Sequence, residues 1–465
     1  MRLLTNFTLP TEIQDVAKLF FADVEIVTEQ PADIVLSECP DGDDYHYAAT
    51  FFAMVETQKV SVANVDELQK MRLRKRFAKI CTYNLLSKVT EKSMPWGSLT
   101  GIRPTKLARQ LVREGLDWKK TFADILGVSN EKISLVNEIL TVQSGLSGIG
   151  GTDLYVGVPF CVSRCSYCSF TSGEIDRLRK YVEPYVSALK KDVRQTIDFA
   201  RKNDIKIDNV YFGGGTPTSL SVEQLDEVLS EIDFVPTEFT VEAGRPDTLD
   251  ENKLQVLAKH GINRISVNPQ TFNQSVLDVI GRKHSVQDIY DKYHLARSYG
   301  FVINMDLIAG LPSESYEMFC HSVDCAIELD PDNITVHTLA LKHGSVLKEQ
   351  NYAAETFVGK MVDYASDKLH KAGYMPYYMY RQKYVMENLE NVGYCKVGKA
   401  CLYNVGIMEE MSSILACGTN AISKKVVECE NRIERAANAK DVITYIDRID
   451  DYLQKKFALF DKNPE

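Results

Sequence analysis

Between residues 153 and 339, six short runs rich in β-branched and aromatic residues alternate with longer amphipathic segments, and that alternation leaves few folds open. The runs are 153–160, 209–212, 238–242, 264–268, 301–308 and 333–339, and segments such as 181–201 and 222–232 between them carry helical periodicity. Strand–helix–strand repeats demand right-handed crossovers and build a parallel sheet. The expected fold class is therefore α/β, an open or partial barrel of six strand–helix units resembling part of a TIM barrel. In such sheets reactive residues gather at the C-terminal ends of the strands. Cys161, Gly213-Gly-Gly215, Glu242, Gln270, Asp306 and Ala340 fall at or just beyond those six ends in turn.

The flanks read differently. Residues 1–150 mix short strand-like and helical patterns, as an N-terminal α/β accessory domain would. Helical periodicity over 68–86 includes Arg72, Arg74, Lys75, Arg76 and Lys79, read as a solvated helix face with a phosphate or partner site as the sharper alternative. Pro95, Gly97, Gly101 and Pro104 break the next stretch into a loop. Four glycines within 144–151 mark a linker, so the barrel is expected over 151–341. Residues 342–465, with a Tyr-rich stretch at 374–384, read as a mainly helical C-terminal region that covers the barrel mouth and the substrate.

Composition narrows the partners. A net charge of −10 opposes nonspecific binding to nucleic acid or anionic membranes. No run reaches the roughly 20 apolar residues that span a bilayer, and Pro10 arrives before an apolar leader could form, so the cytoplasm is the expected location. Eleven cysteines, an odd number spread unevenly, point to thiolate chemistry rather than a disulfide framework.

Three of those cysteines stand in one short loop after a strand: Tyr155-Val-Gly-Val-Pro-Phe-Cys161-Val-Ser-Arg-Cys165-Ser-Tyr-Cys168. Their thiolates can converge on one metal centre. Tetrahedral structural zinc would need a fourth, distant ligand such as Cys81 or Cys320. A [4Fe-4S] cube held by three cysteines instead leaves one iron open to a cofactor. A second motif, Tyr211-Phe-Gly213-Gly214-Gly215-Thr216-Pro217, removes Cβ atoms directly after the second strand and lets backbone approach a ligand.

The cysteine loop resembles the cluster motif of the radical S-adenosylmethionine (SAM) superfamily, and the barrel resembles its oxygen-independent coproporphyrinogen III oxidase group. The resemblance implies that Cys161, Cys165 and Cys168 ligate the cluster and that SAM chelates the open iron, to be cleaved to a 5′-deoxyadenosyl radical. It places Gly214, Gly215 and Thr216 at the methionine end of SAM. It carries Glu242, Gln270, Arg282 and Asp306 over as further SAM-binding positions, and Tyr155, Tyr167, Ala340 and Ile422 as lining of the cofactor space. One SAM is implied, or two as in some members. Trp96-Gly-Ser-Leu-Thr-Gly-Ile-Arg-Pro-Thr-Lys106 and Tyr380-Arg-Gln-Lys383 with Glu387 to Tyr394 extend the likeness to HemZ-type coproporphyrinogen dehydrogenases.

That likeness implies oxidative decarboxylation of two propionates of coproporphyrinogen III to give protoporphyrinogen IX in haem biosynthesis, with electrons from a reducing donor such as flavodoxin or ferredoxin. Arg103, Lys106, Arg381 and Lys383 are then candidate partners for the substrate carboxylates. One motif departs: the oxidases end their cluster loop in Cys-x-Cys, and this chain reads Cys168-Ser-Phe170. A Cys-x-Phe ending occurs in the related haem-chaperone branch, whose C-terminal His-Asn-x-x-Tyr-Trp signature is absent here. A haem-methylating, haem-degrading branch would use the same cofactor residues. The later cysteines Cys395, Cys401, Cys417 and Cys429 are irregularly spaced and read as core packing, and the histidines show no ligand spacing.

Overall fold

The computed structural model describes residues 1–465 apart from Ile102, Thr171, His343, Asn351, 353–356, Lys383, Tyr384, 428–431 and 462–465. Lys383, Cys429 and one of the histidines, His343, therefore lie outside the described residues. The chain forms two compact units, Met1–Asn137 and Glu138–Glu465.

In the first unit, strand Arg2–Thr5 pairs in parallel with Glu25–Val27 on one side and Ile34–Asp41 on the other. The latter continues as an antiparallel meander through Asp44–Phe51 and Met54–Ser61. Alternate residues Leu3, Ile34, Leu36, Tyr47 and Ala49 join Ile13 of helix Pro10–Ala17 and Ala78 and Leu85 of helix Glu67–Thr90 in one core. The long helix starts where the Asp66 side chain accepts from the Gln69 amide at 2.7 Å, a local cap for an otherwise unpaired N–H. Its basic residues are not simply solvated: Arg74 reaches both oxygens of Glu38 at 3.0 and 2.6 Å, and Lys75 and Lys79 pair with Glu12. Those contacts pair three of the five cations, Arg74, Lys75 and Lys79, with carboxylates of the same unit.

The second unit contains the expected parallel strands, here β1 (Thr152–Val158), β2 (Ile207–Gly214), β3 (Glu238–Val241), β4 (Arg264–Ser266), β5 (Val302–Ala309) and β6 (Asn333–Thr338). They pair in chain order, each parallel to the next. Crossover helices follow them. Arg179–Lys202, after β1, buries Val182, Tyr185, Val186, Leu189, Val193 and Ile197, a stripe at helical spacing. Val222–Leu229, after β2, opens with a capping box between Ser221 and Gln224.

The region after residue 341 supplies helices, among them Val358–Lys371 and Ile449–Phe460, and also five further strands: β7 (Met375–Arg381), β8 (Glu390–Cys395), β9 (Ser413–Cys417), β10 (Ile422–Val427) and β11 (Arg432–Ala437). β8 lies antiparallel against β6 and carries β7 at the edge. β9 lies parallel to β1 on the opposite flank and carries β10 and β11. The sheet is thus eleven strands in the order β7-β8-β6-β5-β4-β3-β2-β1-β9-β10-β11, open between β7 and β11.

Strand periodicity gives this sheet two unlike faces. One is apolar and fully buried: Val156, Phe212, Val241, Ile265, Met305 and Val336. The other is polar and aromatic, and it stacks in layers as the inward residues of a barrel do.

Candidate active site

Three layers climb the polar face toward the C-terminal strand ends. The lowest is a layer of buried polar pairs. Asn209 donates to Asp153 at 2.8 Å, and Arg264 donates to Glu238 at 3.1 Å and also bonds Asn333. Glu238 in turn accepts from the amides of Leu402 and Tyr403 at 3.0 and 3.1 Å, which seats the start of helix Leu402–Met408 beneath the barrel. Tyr155 and Tyr211 of the middle layer stack with Tyr403, at 4.3 Å between the Tyr211 and Tyr403 centroids. Thr240 and Ser266 of the same layer have buried hydroxyls without hydrogen-bond partners among the described residues.

The top layer is Gly157, Gly213, Glu242, Asn268, Asp306 and His337, one from each parallel strand or its end. Tyr211 donates its hydroxyl to Glu242 at 2.6 Å. Burial pushes the Glu242 carboxyl up to about 7, with the neighbouring Asp306 charge adding to the rise. Asp306 behaves oppositely. Burial alone would raise it, yet His337, Asn304 and Thr335 favour its charged form and hold it below the ordinary carboxylate value. Asn304 donates to one carboxylate oxygen and Asn268 to the other, each at 2.7 Å, while the His337 Nε2 stands 3.7 Å away. His337 Nδ1 meets the Tyr380 hydroxyl at 3.1 Å. Two adjacent acids are thus tuned apart, one titrating near pH 7 and one held anionic.

Over this layer sits the cysteine loop. Phe160–Cys161 and Gly173–Glu174 form a short parallel ladder that closes it, with Ile175 N donating to Cys161 O at 2.8 Å. Cys168 N folds back on Cys165 O at 3.1 Å, and Ser166 N reaches Ile280 O at 3.0 Å. Arg245, 4% exposed, donates from Nη1 to Ser163 O at 3.3 Å and to Cys165 Sγ at 3.6 Å, while Asp247 grips the rest of its fork at 3.0 and 2.6 Å. The second strand end reaches the loop from the other side: Gly215 N and Thr216 N donate to Val158 O and Phe160 O, each at 2.8 Å, and Thr216 Oγ1 lies 3.5 Å from Cys161 Sγ.

The glycines here are dictated by space. A Cβ on Gly215 would stand 2.6 Å from Phe160 O and 3.0 Å from Cys161 Sγ. Gly214 has φ +110°, which side chains with a Cβ rarely adopt, and its Cβ would stand 2.9 Å from Val158 O. All three loop cysteines are free thiols, and burial pushes Cys168 up to about 11. No three His, Cys, Asp or Glu side chains among the described residues converge on a single ion. A cube puts each thiolate on a different iron, and the three-thiol loop, the cradle free of Cβ atoms and the partnerless hydroxyls below suit a cluster with an organic ligand beneath it.

The structure therefore brings Cys161, Cys165, Cys168, Gly214, Gly215, Thr216, Tyr155, Glu242, Asp306, Tyr167 and Arg282 to one end of the sheet. Gln270 joins them at φ +66°, its backbone bridging Asp306 and Ile308. Arg282 points its fork at protein: Nη1 to the Tyr167 hydroxyl at 3.1 Å and Nη2 to Gly244 O and Asn268 O at 2.7 and 2.8 Å, leaving Nε buried without a partner among the described residues. Ala340 follows β6 and bridges Val385. Ile422 opens β10, two strands from β1, and is 49% exposed. Arg381 is 3% exposed, donates to Asn388 O at 3.0 Å and lies near the Glu390 charge, so it is built into the sheet. Arg103 and Lys106 belong to the first unit, at the start of helix Pro104–Arg113. Sequence reasoning missed Arg245, Asn268 and His337. Arg245 and Asn268 fall just beyond the ends of β3 and β4, and His337 occupies the inward position at the end of β6.

The Radical SAM superfamily profile matches residues 155–326. HemZ of Bacillus subtilis, an oxygen-independent coproporphyrinogen-III oxidase-like protein, is 35% identical over 97% of this chain and 95% of its own length. The haem chaperone HemW of Bacillus subtilis is 37% identical over 41% of this chain and 51% of its own length. Among solved structures, coproporphyrinogen III oxidase (HemN) from Escherichia coli, a radical SAM enzyme, superposes with a TM-score of 0.52 at 20% identity, over 70% of this chain and 73% of that one.

Proposed function

Because this chain belongs to the oxygen-independent coproporphyrinogen-III oxidase-like family of the radical SAM superfamily, which uses a [4Fe-4S] cluster and SAM, we propose that it catalyses oxidative decarboxylation of coproporphyrinogen III to protoporphyrinogen IX. The observation that carries the reading is the meeting of Cys161 with Gly215 and Thr216, which puts a three-thiol loop directly on a strand end free of Cβ atoms. Residues 151–341 form the catalytic body in this reading and 342–465 the substrate-covering part. The substrate is a porphyrinogen or haem-like small molecule, and the electrons come from a reducing protein of the flavodoxin or ferredoxin class.

When bound, the cluster and SAM supply reductive sulfonium cleavage and the hydrogen abstraction that begins loss of each carboxylate as CO₂. The protein's own residues bind and orient. Cys161, Cys165 and Cys168 hold the cluster. Gly214, Gly215 and Thr216 accept the amino-acid end of SAM against backbone. Asp306, fixed as an anion by Asn268 and Asn304, accepts hydrogen bonds from hydroxyls, and Glu242 serves as a second acceptor whose charge depends on pH. Tyr155, Tyr167, Gln270, Ala340 and Ile422 bound the space, and Arg282 stiffens its wall through Gly244, Asn268 and Tyr167.

Anaerobic incubation of reconstituted protein with coproporphyrinogen III, SAM, a reductant and an electron acceptor tests the proposal, and protoporphyrinogen IX is the expected product. SAM cleavage without that product removes the decarboxylase reading and keeps the radical one. A second reading, haem carriage, is favoured by Phe170, 70% exposed at the position where the oxidases place a cysteine. It expects stoichiometric haem uptake and transfer without turnover. Haem consumed with methyl incorporation would point to a degradation enzyme instead.

A further inference from the structure

A guanidinium buried under the cysteine loop does more than tie that loop down. Arg245 follows β3 in Glu242-Ala-Gly-Arg245-Pro-Asp247, where a Cβ on Gly244 would crowd Asn268 Nδ2 at 3.0 Å. Its backbone is fixed as well, since Arg245 O accepts from Thr248 N at 3.0 Å and from Thr248 Oγ1 at 2.8 Å. Nε and Nη2 are both held by Asp247, which aims Nη1 upward at Ser163 O and Cys165 Sγ. A tether would need only the carbonyl. The additional sulfur contact places a full positive charge within hydrogen-bonding distance of a thiol.

Arg282, also 4% exposed, is the second cation beneath the loop, and Asp247 is the one anion paired to either guanidinium among the described contacts. His284 lies beside them, 2% exposed, and is kept neutral because burial and the Arg282 charge push its value down to about 3. Among the described contacts Arg245 is the cation that meets the Cys165 sulfur, while the Arg164 and Lys342 charges act on Cys168 and the anionic Asp306 lies in the layer beneath. A cluster taking up one electron becomes more negative, and hydrogen bonds and positive charge at its sulfurs favour that reduced form.

We propose that Arg245 is a positioning residue for the cluster that sets its reduction potential, raising it through the Cys165 sulfur so that a protein donor of the flavodoxin or ferredoxin class can deliver the electron. One electron passes from that donor to the cluster, and no covalent bond forms or breaks in the step. The inference rests on the reading that Cys161, Cys165 and Cys168 carry the cluster.

Redox titration of anaerobically reconstituted full-length protein, followed by electron paramagnetic resonance, tests it. Arg245→Met should lower the midpoint by about 59 mV or more, a tenfold loss in the one-electron equilibrium. Arg245→Lys should recover at least half of that shift. Asp247→Asn, which strips the counter-charge, should move the midpoint upward. Opposite signs for the two changes cannot come from a merely loosened loop. An Arg245→Met protein with full iron and sulfide and an unmoved midpoint overturns the inference. Should that variant hold no cluster, Asp247→Asn decides alone, and a downward or absent shift overturns it. Failure of the underlying reading looks different: Cys165→Ser would then retain the wild-type spectrum.

Discussion

The Cys161 sulfur stands 3.0 Å from the point where a side chain on Gly215 would begin. That distance couples the cluster loop to the second strand end, because neither can move without the other. Gly215→Ala should therefore cost both packing and cofactor. The new methyl meets Phe160 O at 2.6 Å, a backbone atom that cannot rotate away, so about 1–3 kcal/mol of stability should be lost. Iron and sulfide per chain after reconstitution should fall with it. A variant that melts like wild type and binds a full cluster would show that the contact imposes nothing.

Glu314 offers a pH test away from the site. It is 3% exposed, accepts from Thr271 at 2.5 Å, and its Oε2 has no partner among the described residues. Burial pushes its carboxyl up to about 8. A folded value above the ordinary 4.5 means that this group's contribution to stability is complete in acid and is lost as pH climbs toward and through 8. Across that window the loss should approach about 1.4 kcal/mol per pH unit. Glu314→Gln, which cannot ionise, should match wild type near pH 4 and exceed it at pH 8.5 in urea melts. Equal pH slopes for the two proteins would contradict the assignment.

The six parallel strands are readable in the chain because each is a run of β-branched or aromatic residues broken by glycine or by a helical period; the reading of 333–339 differs from β6 by one residue. The five later strands are not. β10 and β11 read Ile-Ser-Lys-Lys-Val-Val and Arg-Ile-Glu-Arg-Ala-Ala, charged as outlying strands are, and β7 contains Pro376. Nothing local says that β9 will lie beside β1, since that pairing joins residues more than 250 positions apart. The same limit applies within the site. Cys161, Cys165, Cys168 and the glycine run announce themselves by spacing, whereas Arg245 becomes informative only once folding brings it under Cys165, 80 residues away.

The contrast between Glu242 and Asp306 predicts how SAM affinity follows pH. An acceptor for the ammonium or hydroxyl groups of SAM works best ionised, and Glu242 becomes so only as pH rises through about 7. Asp306 is already anionic across that range because His337, Asn304 and Thr335 favour its charge. Equilibrium dialysis on cluster-loaded protein should thus show SAM affinity rising between pH 6 and 8. Glu242→Gln should bind more weakly at pH 8 and show a flat profile. Persistence of the wild-type slope in that variant would place the titrating group elsewhere.

Lys456 and Asp192 form a buried ion pair at 2.5 Å between helix Ile449–Phe460 and helix Arg179–Lys202, each side chain 1% exposed. Asp192 is saturated by further donors, the Tyr445 hydroxyl at 2.6 Å and Gly418 N at 3.1 Å, and Lys456 also reaches Thr196 Oγ1 at 2.8 Å. Gly418 in turn follows β9, beside Gly157 of β1. Removing one partner strands the other charge in a dry interior, so Lys456→Met should cost about 3–5 kcal/mol. The double change Asp192→Leu with Lys456→Met removes both charges and should recover much of that loss, because the pair's own net worth is small beside the cost of orphaning one member. Urea denaturation of the four proteins reads the cycle directly. Additive losses in the double variant would mean that the two side chains act independently and that the C-terminal helix is held by its apolar contacts, such as Phe457 stacked on Phe199 at 4.4 Å, alone.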